Sequence, residues 1–322
     1  GIIFHEHLTF NLCSHTLALS GGRALGGVIN RFKSLKNVGF STFSKLFDSG
    51  VRPVLEYGSG VWGHISANCI EVIQHRAIRF FLGVHKFSPN HALLADVGWL
   101  SAKMKRIINR VRLWNRLVTM EDTRLTKQIF LFDHHICKNN WSHKMRSLFE
   151  SFDSDCFHDI EVFEMGNIYE RLHIQMEVEW RREITKKPKL RTFRLFKEDM
   201  TCEEFVHKLY NRRRRSLYTQ FRHGILPLKV ETGRFQNISL HDRVCEFCKL
   251  NEVEDEIHFL CRCSLYNHLR QCLYQTALID CPPNVHGDEN IFIYLMKFKY
   301  REVSTFIMQA WEIRQQSLYI QS

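Results

Sequence analysis

Apolar side chains recur along most of this chain at three- and four-residue intervals, the period of a helix that buries one face. Over residues 14–36 the apolar positions are Leu17, Leu19, Leu25, Val28, Ile29 and Phe32, with the pairs Gly21-Gly22 and Gly26-Gly27 weakening the helix they interrupt. A second helix is predicted over residues 41–48, and Pro53 is placed to open a helical turn. From Asn68 to Leu82 the pattern turns Ile70, Ile73, Ala77, Phe80 and Phe81 inward and Gln74, His75, Arg76 and Arg79 outward, with Gly83 at the C-terminal end. Ser88-Pro89 begins another helix. Residues 102–118 carry the clearest stripe, Met104, Ile107, Ile108, Val111, Trp114 and Val118. Residues 120–180 are mixed, with helical period returning from Ile168 to Trp180. Residues 291–319 predict one or two closing helices. The first ten residues, Gly1-Ile-Ile-Phe-His-Glu-His-Leu-Thr-Phe10, are short, apolar and β-prone. No internal repeat or low-complexity block is present, and the fold class expected is mainly α.

Charge narrows the partner. The chain has 322 residues and a formal net charge of +11, which favours a polyanion. Residues 181–234 hold 16 lysines and arginines against six acids, so this stretch carries nearly all of the excess. Aromatics interleave it (Phe193, Phe196, Phe205, Tyr210, Tyr218, Phe221). Cations neutralise phosphates and release counterions, and aromatic faces stack on unpaired bases. The phosphate-binding candidates are Arg212, Arg213, Arg214, Arg215 and Arg222, together with Lys103, Arg106 and Arg110 on the helix over residues 102–118. Each also has a plainer reading. The helix cations fit a solvated face, Arg212 to Arg215 a solvated face or a localisation signal, and the aromatics ordinary core packing.

Eleven cysteines are unevenly spread, six of them between Cys245 and Cys281. That spacing points to a metal site in a reducing compartment rather than a disulfide framework. An intracellular location, nucleus or cytoplasm, follows as the expectation. No apolar run approaches the ~18 residues needed to span a bilayer, and no secretory signal opens the chain, so no membrane partner is expected. A start on Gly, directly on an apolar run, suggests a fragment of a longer protein.

The most definite chemistry lies between Cys245 and Cys263. Cys245 and Cys248 are two residues apart; His258 follows, and Cys263 stands four residues beyond it. Thiolates and imidazole at such spacings suit tetrahedral Zn²⁺, and four protein ligands leave no open position, so the expected role is structural. The first cysteine pair is expected in a tight turn. His258 and Cys263 are expected on or just past a helix beginning near Glu254, whose carboxylate suits a helix N-terminus. Cys261 competes with Cys263, since positions i and i+3 share a helix face; the four-residue gap favours Cys263. Asp153-Ser-Asp155 could pair carboxylates on a metal, but its Ser/Asp-rich setting reads as a loop.

Four stretches together resemble the C-terminal part of LINE-type (non-LTR) retrotransposon reverse transcriptases. The first ten residues resemble the segment after that family's catalytic palm, with His5 where the family often has Asp. Val51-Arg-Pro-Val-Leu-Glu-Tyr-Gly with Val61-Trp62 resembles its thumb segment. Ile70-Glu-Val-Ile-Gln-His-Arg-Ala-Ile-Arg-Phe80 resembles its IE-x-x-Q-x-R-A-x-R segment. Leu226-Pro-Leu-Lys-Val-Glu-Thr-Gly-Arg234 with the Cys/His run resembles its terminal CCHC region. The resemblance implies palm-proximal strands over residues 1–12, a helical thumb over 13–118 and a basic connector over 119–235. A zinc knuckle over 236–281 and a closing helix over 282–322 complete it. It further implies binding of template RNA or target DNA during target-primed reverse transcription, beside an upstream polymerase palm. The chain has no Asp-Asp dipeptide, and two-metal phosphoryl transfer needs paired carboxylates. No polymerase activity is expected from these residues alone, and no nuclease pattern follows the knuckle.

Overall fold

The computed structural model describes residues 1–7, 9–35, 38–136, 140–152 and 160–321. Asp153-Ser-Asp155, Cys137 and Cys156 lie outside the described residues. The chain is mainly helical, and among the described residues the one β-pairing is an isolated antiparallel bridge between Val244 and Val253. Among the described residues of 1–12 there is no strand, and helix Asn11–Ser34 begins within this stretch. Residues 1–7, 9 and 10 form no regular element, so the apolar run at the start has no partner strand among the described residues.

Helix Asn68–Leu82 has the predicted bounds, as does Ala102–Val118. Gly83 ends the former at φ +76°, where a Cβ is strained. Ser101 caps the latter by accepting the Met104 amide at 3.3 Å. The mixed stretch resolves into Leu125–Ile136, Trp141–Glu150 and Met165–Thr185. The closing segment is two helices, Asp288–Phe298 and Tyr300–Gln321.

The described chain divides into two compact units, and neither follows chain order. The first gathers residues 1–34, 44–77 and 100–179; the second gathers 35–43, 78–99 and 180–322.

In the first unit, helix Ala102–Val118 packs against the Ser59–Trp62 turn and the Leu125–Ile136 and Trp141–Glu150 helices. Trp114 is fully buried. Its ring meets Phe130 and Phe149 edge-on, each at 5.2 Å, and its indole donates to the Glu161 carbonyl at 2.8 Å. Gly21 has a packing reason, because a Cβ there would overlap the Leu55 side chain. Gln74 was expected outward but is buried: its amide donates to the Leu100 carbonyl at 2.8 Å and accepts the Ala102 amide at 2.9 Å. It thereby satisfies backbone groups at a helix start, a need that hydrophobic period does not register.

In the second unit, helices Arg212–Arg222 and Asn267–Ala277 both pack on Tyr300–Gln321. Asp288–Phe298 packs on the Phe193–Phe196 turn. Phe193, Phe205, Tyr218, Phe221, Phe259 and Phe292 are all buried, so the aromatics that interleave the basic stretch are largely core. Tyr210 differs and is exposed. No helix among the described residues is long and apolar enough to cross a membrane.

Candidate metal centre

Two short pieces of backbone bring the Cys/His residues together. Residues 243–254 fold back on themselves: the Cys245 amide donates to the Glu252 carbonyl at 2.9 Å, and the Glu254 amide to the Arg243 carbonyl at 3.0 Å. The loop between contains Cys248, with Asn251 at φ +53° helping the reversal. The second piece is a helical start at Glu256 that widens into a π-turn, His258–Arg262. The Cys263 amide donates to the His258 carbonyl at 2.8 Å, closing a five-residue step where an α-helix closes four.

That wide turn selects the fourth residue of the cluster. It brings Cys263 back beside His258 and leaves Cys261 buried against Tyr274 instead. Cys245, Cys248, His258 and Cys263 offer donor atoms that all lie within 4.8 Å of one another. Cys245 Sγ is 3.8 Å from Cys263 Sγ, and Cys248 Sγ is 3.4 Å from His258 Nε2. The group could hold a metal ion. Cys245, His258 and Cys263 are buried, and Cys248 is half-buried.

A second layer of polar contacts fixes the donors. His258 Nδ1 faces Glu252 Oε2 at 3.1 Å, which turns Nε2 toward the thiols. The His258 amide donates to Asp255 Oδ1 at 2.8 Å. Arg270 holds the π-turn from outside, donating to the carbonyls of Leu260 at 2.9 Å and Cys263 at 2.6 Å. Glu254 does not cap a helix. It is buried, accepts the Lys229 amide at 2.7 Å and pairs with Arg314, and one of its oxygens lies 3.9 Å from Cys245 Sγ. None of Glu252, Arg270 or Arg314 stood out in the sequence; only the position of Glu252, between the cysteine pair and the histidine, carried a hint.

The electrostatics are those of a crowded thiol–imidazole group. Sharing a proton with Cys263, then burial, pushes the Cys245 thiol up to about 12, while the same hydrogen bond lowers Cys263. Burial opposes protonation of His258, but hydrogen bonds with Cys245 and Glu252 outweigh it and raise the imidazole to about 9. A bound cation would displace these protons.

The expected phosphate ligands are scattered, and several are turned inward. Lys103, Arg212 and Arg213 are exposed; Arg212 lies 4.6 Å over the Phe80 ring, and Arg213 meets Glu312 at 3.2 Å. Arg214 is half-buried and bonds Ser304 and Thr305 at 2.8 and 2.5 Å. Arg106 is buried against Glu71 at 3.2 Å, and Arg110 is buried and donates to the Lys144 carbonyl at 3.0 Å. Arg215 is buried, bonding the carbonyls of Phe81 and Leu209 at 3.0 and 2.6 Å. Arg222 is 1% exposed, ion-paired to Asp96 at 2.8 Å and enclosed by Phe193, Phe196, Phe205 and Tyr218. Arg106, Arg110, Arg215 and Arg222 therefore serve the interior, and a phosphate role falls to cations still at the surface. Sequence treats every arginine as solvated; a buried carboxylate partner such as Asp96, far along the chain, is what changes that.

No protein-family model, curated protein or solved structure matches this chain. The likeness to LINE-type reverse transcriptases stands on its four motifs alone.

Proposed function

We propose that this chain is a nucleic-acid-binding, non-catalytic segment of a LINE-type reverse transcriptase, ordered in part by Zn²⁺ on Cys245, Cys248, His258 and Cys263. The observation that carries the zinc reading is the spacing of the donor atoms. With Zn–S about 2.3 Å and Zn–N about 2.0–2.1 Å, a tetrahedral ion separates two sulfurs by about 3.8 Å and sulfur from nitrogen by about 3.5 Å. Two of the six donor pairs here are separated by 3.8 and 3.4 Å, and all lie within 4.8 Å. Four protein ligands fill the ion's coordination, so its contribution is a cross-link and not a reactive centre. The residues around it do the remaining work: Glu252 orients His258, and Arg270 holds the turn that supplies Cys263.

The nucleic-acid reading is supported by the basic stretch as it stands in the fold. Arg181, Arg182, Lys186, Lys187, Arg194, Lys208, Arg212, Arg213 and Arg234 all keep exposed side chains. Template RNA or target DNA, in the nucleus or cytoplasm, is the partner this reading assigns, with a palm domain supplied upstream. Binding of labelled single strands, followed from roughly 50 to 200 mM salt, tests it; affinity that does not fall with salt removes the phosphate contacts from the account.

One observation favours a second reading, a zinc-containing interaction protein. The first unit has an open groove of about 590 Å³ with Ala18, Leu19, Gly22, Val72 and Ile73 along it. Leu19 and Val72 stay well exposed there, which suits a protein contact. A chain that captures no nucleic acid in a pull-down would move the balance to that reading.

A further inference from the structure

The second unit has two exposed aromatic rings side by side, with cations about them. Phe87 is 52% exposed and Phe235 67% exposed, and their ring centroids are 6.5 Å apart. Lys86 Nζ lies 5.2 Å and Lys189 Nζ 5.4 Å from the centre of the Phe87 ring. The His85 ring is 5.5 Å from it. Arg234, beside Phe235, is exposed. One carboxylate, Glu231, meets both Lys189 at 2.6 Å and Arg234 at 2.9 Å. Three cations against one acid leave the patch positive.

Both rings sit on backbone that is tied down. Ser88, next to Phe87, bonds His223 Nδ1 through its hydroxyl at 2.7 Å, and its carbonyl accepts Arg79 at 3.2 Å. The loop bearing Phe235 is closed by the Ile238 amide on the Gly233 carbonyl at 3.0 Å. Arg243 clamps that loop, donating to the carbonyls of Ile238 at 3.0 Å and Val230 at 2.8 Å. Arg243 is also the first residue of the folded-back ribbon that carries Cys245 and Cys248.

We propose that Phe87 and Phe235 form a platform on which adjacent unpaired bases of a single-stranded nucleic acid stack, with Lys86, Lys189 and Arg234 meeting the phosphates. This rests on the nucleic-acid-binding reading above and gives it a place. Aromatic faces bind bases without regard to sequence, and cations beside them track the backbone. An apolar knob from a protein partner would use the rings but not the net positive charge about them. The 6.5 Å between ring centres is about twice the 3.4 Å per nucleotide of a stacked strand, so the bases fit once unstacked. The Lys86 ammonium is on a flexible stem and yields the Phe87 face to a base while turning to a phosphate; Lys189 stays beside the ring on Glu231. The metal site then acts through Arg243, by holding the loop that presents Phe235.

The test uses the full, zinc-loaded chain and fluorescein-labelled U20, dT20 and an abasic 20-mer, followed by anisotropy. F87A/F235A is expected to lose on the order of 10- to 100-fold in affinity for U20 and dT20. The abasic strand is expected to bind both proteins equally, and F87W/F235W to bind U20 at least as well as the wild type. Lys86→Gln is expected to lower the magnitude of the slope of log affinity against log salt by about 0.7. Because both rings are exposed, unchanged zinc content and circular dichroism accompany these losses. Equal affinity of wild type and F87A/F235A for U20 and dT20 overturns the platform and leaves the broader reading in place. A wild-type chain that binds none of the three strands overturns both.

Discussion

Asp96 shows how much rests on single residues here. It is 0% exposed, and its two oxygens take Arg222 at 2.8 and 3.2 Å and His223 at 3.0 Å. Burial opposes its ionisation, but Arg222 and His223 outweigh that and hold the carboxyl well below the usual carboxylate range. Removing one partner of a buried pair leaves the other uncompensated, so Asp96→Asn should cost about 3–5 kcal/mol in denaturant unfolding. A depressed pKa contributes stability that is complete above the unfolded value, about 3.9, and fades as pH falls below it. The gap between wild type and Asp96→Asn should therefore be constant near neutrality and narrow below about pH 4; a gap that narrows toward alkaline pH would contradict this account. At the metal centre, Cys245→Ser with Cys248→Ser should reduce bound zinc from about one ion per chain to a small fraction. Metal analysis after dialysis reads this directly, and retention of a full ion would remove these residues from the site. The four residues of the Cys/His cluster were legible from residue type and spacing. Arg106, Arg110, Arg215 and Arg222 were not, because their partners lie up to 134 residues away and a basic run looks the same solvated or buried.

Helices with one apolar face were legible at the scale of elements, and the bounds of Asn68–Leu82 and Ala102–Val118 follow from period, cap and glycine together. Two kinds of element were not legible. Leu125–Ile136 and Trp141–Glu150 are short and carry histidines, and the first also has exposed apolar groups, Leu125, Ile129 and Phe132, that blur its period. The π-turn His258–Arg262 has no sequence signature beyond the four-residue gap before Cys263. Gly224 marks an element end that tolerates no change. It sits at φ +60°, and a Cβ there would run into the Lys189 carbonyl. Gly224→Ala should destabilise the chain by about 1–3 kcal/mol, read as a lower thermal midpoint. An unchanged midpoint would mean that the turn after Arg212–Arg222 relaxes freely.

The chain taken whole is a basic protein with two compact units, each collected from three separate stretches of sequence. Such interleaving cannot be read from local pattern, since each unit is defined by contacts between segments that composition does not link. The net charge of +11 is legible at once, but the fold spends part of it inside, on ion pairs such as Arg191 with Glu256 at 2.5 Å and Lys197 with Glu203 at 2.6 Å. The salt dependence of single-strand binding should consequently report fewer phosphate contacts than the count of basic residues over 181–234 suggests. A slope near −0.7 per phosphate neutralised converts directly into that number, and a value near all 16 would mean that buried arginines come to the surface on binding.

The wide turn at His258–Arg262 carries one residue more than an α-helical turn holds. Arg270 restrains it from outside, donating to the carbonyls of Leu260 and Cys263, and a metal ion on His258 and Cys263 would be a second restraint. Chelation of such an ion would leave Arg270 as the restraint, and the extra residue could then be absorbed by a slip into ordinary helical register. Cys263 would swing off the donor group while Cys261 keeps its place at i+3 from His258. A reloaded chain then has two thiols competing for one coordination position, so the history of its metal, and not its sequence alone, would decide which cysteine an alkylating reagent finds free.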